Sequence, residues 1–153
     1  MKKALTGMVL VAVLTGGSTA QAKSVAYKGK TSSGTTIKFK RKGNKVSKIN
    51  TAISTVCTET TGSGYTRTGS EIYQPPGKFK LGTTRKVKKL QPAAMNQGIK
   101  ATKNYAVKVK KGRGRKVKGK LKLNFSFLVP NLYTYLPYTY ICSGSATFTA
   151  KPK

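Results

Sequence analysis

Residues 104–128, NYAVKVKKGRGRKVKGKLKLNFSFL, restrict what this chain can fold into more than any other stretch. Val117, Gly119, Leu121, Leu123, Phe125 and Phe127 hold odd positions, and Lys116, Lys118, Lys120 and Lys122 hold even ones. Side chains on a strand alternate between faces, so the segment sends apolar groups one way and ammonium groups the other. Upstream, Tyr105, Val107 and Val109 alternate with Ala106, Lys108 and Lys110, and Gly112-Arg113-Gly114 separates the two runs. Two alternating runs around a glycine-bearing turn predict a β-hairpin. Residues facing each other across a hairpin share a face. Odd must therefore pair with odd, and the loop must be odd in length, most simply three residues. Lys111 opposite Arg115 closes such a loop, and Gly112 opposite Lys116 also satisfies parity. Either register gives a ribbon with one apolar face and one face paved with cations.

The chain opens with a different pattern. Lys2 and Lys3 precede an apolar run from Ala4 to Leu14, and Ala20-Gln21-Ala22 forms a small-x-small site. That is the pattern of a secretory signal peptide over residues 1–22, cleaved after Ala22, with an apolar stretch too short to span a bilayer stably. No cysteine lies near that site to carry a lipid anchor. Residues 23–153 contain no apolar run of membrane-spanning length and suit a single basic domain, expected outside the cell.

Charge limits the chemistry. Of the 31 Lys and Arg, Lys2 and Lys3 fall in the leader, leaving 29. Only Glu59 and Glu71 oppose them, and the chain has no histidine. The side-chain charge is then +27 (29 cations less 2 carboxylates), a self-repulsion that salt or a polyanion relieves. Without histidine there is no imidazole base for a serine or cysteine nucleophile and no imidazole metal ligand. A glycosidase of the usual kind needs two carboxyl groups flanking one bond, and both glutamates sit in polar, turn-rich sequence. Two carboxylates are too few for a calcium site without many carbonyls. Gly112-Arg113-Gly114-Arg115 lacks the strand-loop-helix context and the Gly-Lys-Ser/Thr ending of a phosphate loop, so a hairpin tip is the better reading. The expectation is a protein with no catalytic residues, no metal, no cofactor and no evident small-molecule substrate.

Strand signals separated by Gly, Ser, Thr and Asn fill the rest. Val25–Lys30 and Thr36–Lys40 flank a turn at Thr31-Ser32-Ser33-Gly34, and residues 41–45 turn the chain into a run from Val46 to Cys57. Val46 is even whereas Ile49, Ile53 and Cys57 are odd, which predicts a bulge near Ser47 or Lys48, the alternative being that both faces are covered there. Thr58–Ser70 reads as a polar loop with a weak strand inside it, and Pro75-Pro76-Gly77 as loop. Lys78–Leu81 is a short strand, Pro92–Met95 one helical turn, and Asn96-Gln97-Gly98 a reversal. Pro130 and Pro137 bound an aromatic excursion that feeds a final strand, where Cys142, Gly144, Ala146, Phe148 and Ala150 share a face. No stretch after the leader shows a helical period. The class is all-β, an antiparallel sandwich or flattened barrel of about seven or eight strands. The two cysteines of an exported chain have one connectivity, Cys57–Cys142, and each belongs to an apolar alternation facing the same core.

Tyr27-Lys28-Gly29-Lys30-Thr31-Ser32-Ser33-Gly34, then Ile37-Lys38-Phe39, Gly43-Asn44-Lys45-Val46 and Cys57, resemble a recurrent small secreted, disulfide-bonded β-domain. That domain occurs in exported proteins of high-GC Gram-positive (actinobacterial) origin. Val117-Lys118-Gly119-Lys120-Leu121, Cys142-Ser143-Gly144 and Phe148-Thr149-Ala150 are similar to its second half. The resemblance implies export and fold, and carries no activity.

The lysine face is therefore the functional candidate. Lys108, Lys110, Lys116, Lys118, Lys120 and Lys122, with Arg113 and Arg115 at the tip, present cations that suit an anionic polymer. Tyr133, Tyr135, Tyr138 and Tyr140 decide the type of ligand. Exposed beside the cations they stack on bases, which suits single-stranded nucleic acid. Buried, they leave pure charge, which suits a teichoic-acid-like polymer. Two other readings compete. One is an exported structural or interaction domain whose charge serves only solubility. The other is a cationic membrane-active protein, which the lack of a basic amphipathic helix disfavours. The leader carries its own test: N-terminal sequencing of secreted protein should begin Lys-Ser-Val-Ala, and an intact Met1 on protein recovered outside the cell would refute the cleavage.

Overall fold

The computed structural model describes residues 22–93, 96–130 and 136–153; the predicted leader lies outside them, save Ala22. Among the described residues nine strands carry the fold and no helix occurs. They are β1 (Val25–Thr31), β2 (Thr36–Lys42), β3 (Lys45–Glu59), β4 (Thr66–Tyr73), β5 (Lys78–Lys80), β6 (Thr84–Ala93), β7 (Asn96–Lys111), β8 (Val117–Val129) and β9 (Tyr138–Pro152). They form one antiparallel sheet in the order β4-β3-β2-β1-β9-β8-β7-β6, with β5 added to β3.

β9 makes the sheet fork. One edge of it pairs with β8 from Tyr138 to Ala150. Its other pairings are shared between two strands, with Phe148–Pro152 against β1 and Tyr140–Ser143 against β3. The β1–β2 hairpin is thus wedged between β3 and β9 at one end, and the two long strands meet directly at the other. Cys57 and Cys142 are partners in that direct pairing, bonded with Cα atoms 4.0 Å apart. The sheet curls far enough for β4 to touch β7 across the core, a partly ring-like arrangement that fits the expected sandwich or flattened barrel. The Tyr73 hydroxyl donates to the Ala106 carbonyl at 2.9 Å, and the Tyr73 and Tyr105 rings meet edge to face at 5.0 Å.

The alternation read from the sequence sets the core. Val107, Val109, Val117, Leu121 and Leu123 are buried with Ile37, Phe39, Ile53 and Phe148, while the even lysines of β7 and β8 are exposed. Of the two registers that parity permits, the hairpin takes the second. Lys110 faces Lys118 and Lys111 faces Val117, and the Gly112 amide donates to the Lys116 carbonyl at 2.9 Å. Arg113-Gly114-Arg115 is the three-residue loop, with Gly114 at φ 62°, a left-handed position that glycine adopts without strain. The expected bulge is present: β3 shifts register between Asn50 and Ser47, and Lys48 takes φ 54°.

Three expectations change. The polar stretch after Cys57 is mostly strand, because β3 continues to Glu59 and β4 starts at Thr66. Flanking strands β4 and β9 supply the hydrogen-bonding partners that its weak β propensity alone did not promise. Pro92, expected to open a helical turn, lies in β6, an edge strand where a missing N–H costs nothing; Ala94 and Met95 lie outside the described residues. Asn96-Gln97-Gly98 opens β7 instead of reversing the chain, and a register shift opposite Pro92 and Ala93 absorbs the extra residues.

The glutamates, which the sequence sets in polar, turn-rich stretches, lie inside the fold. Neither is exposed: Glu71 is fully buried and Glu59 only 7% exposed. Lys103, on the apolar side of β7, donates to Glu71 Oε2 at 2.5 Å and lies 5.3 Å from the Phe125 ring centroid. The Tyr105 hydroxyl donates to Gln91 Oε1 in the same region. Burial first and the Glu71 charge second push the Tyr105 phenol up to about 12, so it stays a neutral donor. Taking one partner from a buried ion pair strands the other charge in the interior. Lys103→Met should therefore lower stability by about 3–5 kcal/mol, and adding Glu71→Leu should recover most of it. Urea unfolding of the single and double variants checks this.

Candidate functional site

β8 sends Lys118, Lys120 and Lys122 outward, and its neighbours on that face are polar save Ala106. On β7, Lys110 stands opposite Lys118, Lys108 opposite Lys120, and Ala106 opposite Lys122. On β9 the corresponding partners are Thr149, Thr147 and Ser145. β1 extends the surface, because Lys30 pairs with Thr149 and Lys28 with Lys151. One row across four strands therefore reads Lys30, Thr149, Lys118, Lys110.

These rows enclose an open groove of about 670 Å³. Its cations are Lys30, Lys108, Lys110, Lys118 and Lys120, and its hydroxyls belong to Thr31, Ser32, Thr147 and Thr149. A second hollow of about 320 Å³ continues it past Lys28, Lys116 and Lys151, sharing Lys30 and Thr149. Among the described residues the one side-chain ion pair is Glu71–Lys103, which lies in the core, so no carboxylate neutralises a groove lysine. The rim is tied down by one backbone–backbone and one backbone–side-chain hydrogen bond. The Ser32 amide donates to the Thr147 carbonyl at 2.8 Å, and the Thr147 amide donates to Ser32 Oγ at 3.2 Å.

Lys108, Lys110, Lys118 and Lys120 thus converge as the parity argument requires. Lys116 lies in the adjoining hollow, Lys122 one row beyond the groove, and Arg113 and Arg115 on the exposed hairpin tip. Sequence reasoning missed Lys28, Lys30 and Lys151. Lys28 and Lys30 alternate with Tyr27, Gly29 and Thr31, which marks them as outward-facing on β1, but Lys151 and their other neighbours lie on β9 at the far end of the chain. Glycine permits that approach. A Cβ on Gly29 would run into the Thr149 carbonyl oxygen and come within 2.8 Å of the Ala150 methyl.

Tyr138 and Tyr140 are half-buried, and Tyr140 stacks on Phe127 with centroids 5.4 Å apart. Tyr133 and Tyr135 lie outside the described residues. Tyr140 is seven residues from Thr147 on the same strand, roughly 24 Å at 3.4 Å per residue, so the half-buried tyrosines and the groove occupy opposite ends of β9. No cluster of potential metal ligands occurs among the described residues, and no helix there is long and apolar enough to cross a membrane. Comparison of the chain with protein-family models, curated proteins and solved structures finds no match.

Because β1 reaches the groove only through the close approach at Gly29, Gly29→Ala should force β1 away from β9. A loss of about 1–3 kcal/mol is expected in denaturant unfolding, the usual cost of overpacking.

Proposed function

We propose that this is an exported, non-catalytic protein that binds a phosphate-bearing anionic polymer through the lysine groove formed by β1, β9, β8 and β7. The observation that carries the reading is the convergence of five lysines from three strands on one groove, with hydroxyls between them and no carboxylate in the wall. Like charges opposite each other destabilise a strand pair, by up to about 1 kcal/mol. Lys108 opposite Lys120 and Lys110 opposite Lys118 are two such pairs side by side. Solubility alone does not require them to be adjacent. A bound polyanion removes the repulsion and releases its counterions.

The absence of a described tyrosine from the groove favours a polymer recognised by charge and hydroxyl contacts alone, such as a teichoic-acid-like polyol phosphate. A single-stranded nucleic acid would gain from stacking platforms; Phe148, the aromatic in the groove lining, is only 4% exposed and packs in the core, and the half-buried tyrosines stand at the other end of β9. The disulfide and the resemblance to secreted β-domains support export. A solubility role fits one part of the surface: Arg85, Lys86, Lys88 and Lys89 line the edge strand β6, where cations discourage edge-to-edge pairing.

Titration against poly(glycerol phosphate), DNA and heparin at several salt concentrations tests the reading. The triple variant Lys110→Gln, Lys118→Gln, Lys120→Gln should bind poly(glycerol phosphate) more weakly. Its plot of log affinity against log salt should flatten by about 2 in total, at ~0.7 for each phosphate that a removed lysine had neutralised on a single-stranded polymer. The β6 triple Arg85→Gln, Lys86→Gln, Lys88→Gln should change both far less. Equal weakening by the two triples would mean diffuse charge attraction, and the groove would lose its role.

A further inference from the structure

The outward face of the sheet changes character along its length. On β8 it runs Lys118, Lys120, Lys122 and then Asn124, Ser126, Leu128. Past Asn124 the neighbouring strands change in the same way. One row reads Thr68, Val56, Ser143, Asn124 across β4, β3, β9 and β8, and the next reads Thr66, Thr58, Ile141, Ser126. Ser70 beside Ser54, Ile72 beside Ala52 and Thr139 beside Leu128 extend it. None of these side chains is charged, and four are prominent aliphatics: Val56 is 45% exposed, Ile72 57%, Leu128 55% and Ile141 55%. An uncharged, partly apolar face this wide is unusual on a chain so densely covered with cations elsewhere.

We propose that two copies of the chain associate through this neutral face when their charge is screened, as on the bound polymer; the polymer-bound case rests on the function proposed above. The occupant follows from charge. Two molecules of this protein repel wherever lysine meets lysine, and this face lets them touch without opposing ammonium groups. The polymer then does two things: it neutralises the lysine groove of each copy, and it holds copies at high effective concentration. The area sets the strength. Four strands at about 4.8 Å spacing and four rows at about 6.8 Å give on the order of 500 Å² per copy. That is well below the ~800 Å² per partner of a standard interface, so the free protein in dilute low-salt buffer stays monomeric.

Sedimentation velocity at high protein concentration tests this without the polymer. In about 1 M NaCl, where the Debye length falls to ~3 Å, the mass should move from one copy toward two. Ile141→Lys and Ser143→Lys, one apolar and one polar position, both exposed, should each lose the dimer while keeping the wild-type melting curve. On poly(glycerol phosphate) both should still bind, but with the site-to-site cooperativity of the wild type gone. A monomer at all salt concentrations, or a dimer that both lysine variants retain, overturns the proposal. A salt-driven dimer with no affinity for any polyanion supports the neutral-face contact and removes the polymer function instead.

Discussion

The direct pairing of β3 with β9 is the contact on which the rest of the architecture depends. These strands lie 85 residues apart at the bonded cysteines, and a loop of that length is entropically costly to close. The disulfide removes much of that cost from the folding equilibrium, by about 4–5 kcal/mol on the chain-entropy account. Its position in the fork matters as much as its strength. By joining β3 and β9 at one end it leaves a wedge at the other, and the β1–β2 hairpin fills that wedge. Only then does Lys30 meet Thr149 and the lysine surface become four strands wide.

The fold must also hold together while repelling itself. It does so by keeping opposite charge out of the solvent. Both carboxylates lie inside, one paired with the only Lys or Arg that is buried among the described residues, and the other described cations are at least partly exposed. A buried pair is a poor source of net stability beside an apolar substitute of the same shape. What Glu71 and Lys103 do provide is a directional tie between β4 and β7, next to the Tyr73–Tyr105 contact on the same two strands. Sheet curvature is fixed there by a bond that only one register satisfies.

How much of this was legible follows from the range of each signal. Period-two alternation is local, so the faces of β7, β8 and β9, the hairpin and the phase change at Lys48 could be read directly. Parity left two hairpin registers open, and the glycine at the left-handed loop position is what fits the one adopted. Pairings between distant strands left no local trace. Lys28 and Lys30 look like any outward lysines until β9 is placed beside them. Lys103 shares the odd, core-facing positions with Ala101 and Tyr105, an alternation that gives no reason for a lysine there until its carboxylate on β4 is placed. Thr58–Ser70 misled at its two ends because its composition is that of a loop throughout, while partners on β4, β3 and β9 make Thr58–Glu59 and Thr66–Ser70 strand and leave residues 60–65 as the loop.

Burying both carboxylates has one more consequence. The chain has no histidine and no free cysteine among its described residues, and no side-chain carboxylate is left exposed. Its surface therefore lacks every side chain that ordinarily changes charge between acid conditions and the onset of tyrosine and lysine titration near pH 10. Acidification of the surroundings, which switches many binding proteins through histidine, leaves this surface as it was. Across that range only the α-amino terminus changes charge, so the repulsion among the surface cations varies with ionic strength far more than with proton concentration.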